Sequence, residues 1–284
     1  MTPRRRRRRR ALGVLLVCTL LVAGGFWAAS RFIEDSEVLV RERCTAVVGT
    51  ESYGLAPDQA ANAALIAAVS MDRGLPARAA SIGIATAVQE SKLRNIDYGD
   101  EAGPDSRGLF QQRPSQGWGS EEQVMDPVYA AHRFFQELEA LAPDFQDLDV
   151  TVAAQKVQRS AYPDAYADHE PEGRAYASAL TGHSPAALNC VLKSADEPGD
   201  AEGLVTALTD QLSSADPTVS RDGRTVTIPA TGPRGWALVQ WAVAHAQQFG
   251  VTAASFGGQG WVRADHGWSQ TPGTDGAVTI TLAG

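Results

Sequence analysis

The chain has little to offer metal or redox chemistry: five histidines and three cysteines in 284 residues. His132, His169, His183, His245 and His266 are scattered, with no pair at helical ligand spacing. Asp265-His266 lacks further ligands, so no metal site is expected. Neither a Gly-x-Ser-x-Gly elbow nor a phosphate-cradling Gly-Lys-Ser/Thr occurs, which removes two common catalytic scaffolds. No cofactor is expected. Aromatic residues make up only 7%, and four of the six tryptophans (Trp236, Trp241, Trp261, Trp268) fall near the C-terminus. Trp236 and Trp241 read as core, whereas Trp261 and Trp268 flank a turn-rich segment where either rim packing or sugar stacking is open.

Positive charge is scarce wherever it is not concentrated at the start. Arg4 to Arg10 is an unbroken basic run, and Ala11 to Ala29 follows without a charge. That apolar length is close to the ~20 residues that cross a bilayer. The arginines would hold the N-terminus in the cytoplasm and send the rest outward. The expectation is a signal anchor at 11–29, a cytoplasmic tail at 1–10 and an extracytoplasmic remainder. Secretion after cleavage near Ala28-Ala29-Ser30 is the alternative. Beyond the arginine run, 18 basic residues face 33 acidic ones, a net charge of −15. Such a surface does not attract nucleic acid, which is excluded as a partner.

Cys18 lies in the apolar span, so Cys44 and Cys190 are the only candidates for a disulfide. An oxidising exterior favours pairing them, and two free buried thiols are the alternative. A bridge over so long a loop would remove denatured-state entropy worth ~4–5 kcal/mol in the chain-entropy model.

Residues 30–54 read as a stalk. Asp58 to Met71 and Pro76 to Ser91 read as helices, followed by a loop at 96–107 with Gly99, Gly103 and Pro104. Further helices are expected at 126–141, 150–161 and 173–181, making 55–190 an almost wholly helical domain. The polar stretch 191–203 reads as a linker. Residues 204–284, with helices at 204–212 and 236–249 and strands at 224–228, 251–256, 260–263 and 277–282, read as a small α+β domain.

The helix ending at Ser91 carries a core stripe of Ala80, Ile84, Ala87, Val88 and Ser91, and a small-residue stripe of Ala79, Gly83 and Thr86 leading to Glu90. A helix apolar on nearly every face is buried. A carboxyl at its end is partly desolvated, and its pKa rises. A Glu marking where the helix meets water is the competing reading.

Gln89-Glu90-Ser91, followed by Ser106-Arg107-Gly108-Leu109-Phe110-Gln111, resembles the lysozyme-like superfamily in its transglycosylase (SLT-type) branch. The run Gly108 to Gly119 is similar to versions in actinobacterial wall enzymes and phage lysins. The resemblance spans roughly 57–182. It implies a mainly α lysozyme-like domain behind the transmembrane helix, with the small α+β domain after it. It also implies cleavage of the β-1,4 bond between N-acetylmuramic acid and N-acetylglucosamine in peptidoglycan glycan strands. Glu90 would be the general acid, Gln111 would bond the sugar, and Ser106 and Gly108 would shape the turn. One carboxylate suffices if the substrate's own acetamido group attacks the anomeric carbon. Hydrolysis would need a second, for which Asp97, Asp100, Glu101 and Asp105 are in the right loop. The family's Ala-Tyr-Asn segment has its nearest counterpart in Ser160 to Tyr166, without the Asn, leaving Tyr162 as the cleft tyrosine. That departure motivates the rival expectation of a catalytically inactive glycan-binding or assembly protein.

Overall fold

The computed structural model describes residues 24–25 and 40–284, apart from 102, 161–163 and 273–275. Residues 42–284 form one compact unit. Its chain opens with a hairpin of β1 (Arg43–Val48) and β2 (Glu51–Leu55). Helices α1 (Pro57–Asp72), α2 (Ala77–Ser91), α3 (Glu121–Met125), α4 (Pro127–Leu141), α5 (Val150–Gln158) and α6 (Glu170–Leu180) follow. Strand β3 (Leu188–Val191) then returns to β1, giving an antiparallel sheet of order β2-β1-β3. Cys44 and Cys190 are register partners on β1 and β3 and form a disulfide. The bridge therefore closes residues 44–190 at the point where backbone pairing already brings the strands together.

The rest is α7 (Ala201–Gln211), β4 (Thr218–Val219), β5 (Thr225–Pro229), α8 (Gly232–Ala244), α9 (Ala246–Phe249), β6 (Val251–Phe256), β7 (Gln259–Val262), β8 (Gly267–Gln270) and β9 (Ala277–Leu282). Its antiparallel sheet runs β4-β5-β9-β6-β7-β8. Val226, Ile228, Val278, Ile280 and Leu282 alternate inward from β5 and β9, the period of two that a one-sided sheet requires. Helix α8 packs on this sheet with one side and on α1 and α6 with another. It is accordingly buried on nearly every face, with Trp241 at its centre. Gln240, fully buried on α8, accepts from the Leu188 backbone N–H at 2.8 Å and donates to the Ala179 carbonyl at 2.7 Å. The indoles of Trp261 and Trp268 donate to the Cys190 and Leu188 carbonyls of β3 at 3.1 and 2.8 Å. These two tryptophans seal the free edge of β3.

These observations correct the expected fold class. A mainly α lysozyme-like domain behind a transmembrane helix does not describe the molecule. The helical part carries a three-stranded sheet, and its hydrophobic core runs continuously into that of the six-stranded sheet. Strands β1 and β2 fall in and beside the stretch read as a stalk. Among the described residues no helix is long and apolar enough to cross a membrane. The anchor expected at 11–29 lies outside the described residues, except for 24 and 25, which are helical.

Candidate active site

Small residues decide where α2 sits. A Cβ at Gly83 would stand 2.9 Å from Ile66 of α1 and 3.0 Å from Phe135 of α4, so only glycine lets the three helices approach this closely. Ala79 to Val88 are buried without interruption, and Glu90, in the last turn, is the first carboxylate to emerge. The helix stops because Lys92 and Leu93 turn left-handed, at φ 54° and 55°. Gln59 and Asn62 of α1 donate to the freed carbonyls of Lys92 and Leu93 at 2.7 and 2.8 Å. The end of α2 is thereby fixed, and Glu90 with it.

The turn facing Glu90 is pinned at several points. Arg107 and Gln112 exchange two backbone hydrogen bonds, and the Gly108 N–H reaches the Ile96 carbonyl at 2.8 Å. Ser91 donates to the Leu109 carbonyl at 2.7 Å, tying the turn to the end of α2. Phe110 stacks on Phe134 with centroids 4.6 Å apart. Gly108 has φ +77°, and a Cβ there would collide with the Val124 carbonyl oxygen. Gln111, itself left-handed at φ 48°, projects from this turn into the cleft.

The cleft has a volume of about 640 Å³ and is lined by Glu90, Asp100, Ser106, Gln111, Trp118, Arg133, Glu137, Gln158 and Arg159, among others. Glu90, Gln111 and Ser106 are thus brought together, as expected. Gly108 does not line the cleft; it gives the turn its close approach to α3 instead. Of the four candidate second carboxylates only Asp100 lines the wall. Asp105 is held by the backbone N–H of Ser115 at 3.0 Å and the Arg113 guanidinium at 2.9 Å. The hydrogen bonds from Ser115, then Arg113, hold its carboxyl well below the usual range, an anion spent on shaping the loop. Arg133 pairs with Glu137 and lies over the Trp118 ring, 5.6 Å from its centroid.

Tyr162 lies outside the described residues. A different tyrosine reaches Glu90. Tyr166, buried completely, donates its phenol hydrogen to Glu90 Oε1 at 2.6 Å, and the Gln158 amide also bonds this carboxyl. Burial pushes the Glu90 pKa up; the bonds from Tyr166 and Gln158 pull the other way, and the nearby Asp100 charge adds to the rise. Burial wins because two neutral donors restore only part of the lost hydration. Tyr166 is held by burial first, and by the Glu90 charge next, well above an ordinary phenol, so it remains a donor. The Tyr166 phenol thus occupies Oε1 and fixes the orientation of the carboxyl. Tyr166 and Gln158 were not distinguishable in the sequence. Tyr166 shares its short segment with Tyr162, and nothing in the spacing says which one faces a residue 76 positions earlier.

Among the described residues no group of three or more His, Cys, Asp or Glu side chains is placed to hold a metal ion. No protein-family model matches the chain, and no curated protein matches it.

Proposed function

We propose that this protein is an extracytoplasmic enzyme that cleaves the β-1,4 bond between N-acetylmuramic acid and N-acetylglucosamine in peptidoglycan, as a lytic transglycosylase. One observation carries the reading. Glu90 is a half-buried carboxyl on the wall of an open cleft, with a raised pKa and one oxygen engaged by the Tyr166 phenol. A carboxyl that keeps its proton to higher pH than an ordinary one, beside a polar groove, suits general-acid attack on a glycosidic oxygen. The Cys44–Cys190 disulfide supports a site outside the reducing cytoplasm.

In the proposed reaction Glu90 gives its proton to the bridging oxygen as the bond from the anomeric carbon breaks. The acetamido oxygen of the same sugar bonds to that carbon. The carboxylate then takes the proton of the sugar's 6-hydroxyl, whose oxygen displaces the acetamido group and leaves an anhydro end. The proton is returned and no water is consumed. Gln111, on the same wall, is suited to hold the acetamido group. Asp100 lines the cleft as well and would serve as base if water were the nucleophile. Mass spectrometry separates the two routes, because anhydro-muramic ends arise only from the first.

The test is digestion of purified sacculi by the full chain and by Glu90→Gln. The variant should release muropeptides at least ~10²-fold more slowly. Equal release by both, or release by neither, would remove the catalytic assignment.

A further inference from the structure

We propose that the cleft selects glycan bearing a free carboxylate on a substituent beside the scissile bond, and that Arg159 reads it. This rests on the reading of Glu90 as the general acid, whose position defines where that bond lies. The first observation is a local concentration of basic charge. Beyond the N-terminal arginine run the chain carries −15, yet the cleft wall gathers three arginines, Arg113, Arg133 and Arg159. They face the carboxyls of Glu90, Asp100 and Glu137. Three guanidiniums in one wall are a concentration of basic side chains that the acidic remainder of the chain does not lead one to expect.

The second observation is that the three cations are not equivalent. Arg113 is bound to Asp105, and Arg133 to Glu137. Arg159 has an exposed side chain without an ion pair or hydrogen bond among the described residues. It follows Gln158 directly, and Gln158 bonds the Glu90 carboxyl. The spare guanidinium therefore starts one residue from a group that touches the proton donor.

The third is its backbone. Arg159 is left-handed, at φ 53°, in the position after α5 where glycine is usual. A side chain there costs on the order of 1 kcal/mol. The pull of the helix C-terminus on a cation explains a basic residue near this point. It does not explain why that residue lines the cleft and stays unpaired in so acidic a chain.

A guanidinium recognises a carboxylate through paired N–H donors. The ligand class that fits is an amino-sugar polymer with short acidic peptides on alternate sugars. A bare N-acetylglucosamine polymer would use Glu90 and Gln111 but leave Arg159 idle.

Calorimetric titration tests this on the full chain with Glu90→Gln, so that nothing is cleaved during the measurement. The probes are an N-acetylglucosamine tetrasaccharide and a tetrasaccharide whose muramyl residues carry peptides with free carboxylates. The peptide-bearing probe should bind about 10-fold more tightly, the worth of one charge-assisted hydrogen bond. That preference should vanish in Glu90→Gln/Arg159→Gln and return in part in Glu90→Gln/Arg159→Lys. A preference that survives Arg159→Gln, no preference at all, or no binding of either probe would overturn it. Because binding is read without turnover, a failed sacculus digestion would count against the catalytic reading alone.

Discussion

His245 makes acid stability the most quantitative test of the structure. It lies between Trp241 and Phe249, with ring centroids 4.1 and 5.9 Å away, and is 2% exposed. Its Nδ1–H donates to the Trp241 carbonyl at 2.9 Å. Burial pulls its pKa from 6.5 down to about 4, against the smaller opposing effect of that hydrogen bond. The unfolded chain gains a proton as the pH falls through 6.5, and the folded protein does not until about 4. The contribution of the neutral ring is therefore complete above pH 6.5 and is lost progressively down to pH 4. At 1.36 kcal/mol per pH unit the loss is roughly 3 kcal/mol. Against a total of ~5–15 kcal/mol for a typical native protein, that is a large share. Other groups titrate here too: His132 and His169, also lowered chiefly by burial, add to the acid loss and Glu90 opposes it, so the comparison must isolate His245. His245→Phe keeps both stacks and loses no backbone bond, since the Trp241 carbonyl still accepts the residue 245 N–H. Urea denaturation of both proteins at pH 7.5 and pH 4 should give a difference about 3 kcal/mol smaller in the variant. Parallel loss in the two proteins would refute the placement of His245 in the core.

Two further substitutions probe the cleft. Tyr166→Phe removes a hydrogen bond that favours the ionised carboxylate, so the Glu90 pKa should rise further and the alkaline limb of the rate profile should move to higher pH. The maximal rate on sacculi should fall about 10-fold as the carboxyl loses its orientation, and a limb that stays put or moves down would contradict the assignment. Gly108→Ala sets a Cβ at φ +77° against the Val124 carbonyl and should cost about 2–4 kcal/mol in urea denaturation, with neutral behaviour as the contrary result.

What could be read in the sequence was whatever the chain states locally. Helices α1, α2 and α4 announce themselves through apolar spacing, and their boundaries fall within a residue or two of the expected ones. Glu90 was legible because its helix runs out of small residues where a glycine-rich turn must follow. Strands β1 and β3 were not, and for a physical reason. Each is six residues or fewer, and their pairing joins Cys44 to Cys190 across 146 positions. No periodicity spans that distance; only the two cysteines hinted at it. The misjudged fold class follows from this, because a helical reading of 55–190 had no means of seeing the strand that both ends of the segment share. The chemistry of Glu90 has the same origin. Its desolvation comes from the packing of α2, and its bonds from Tyr166 and Gln158, which are 76 and 68 positions away along the chain. A carboxyl's identity is written at one position, but its readiness to hold a proton is a property of the neighbours that folding supplies. The tyrosine that settles this sits four residues from the one the motif suggests.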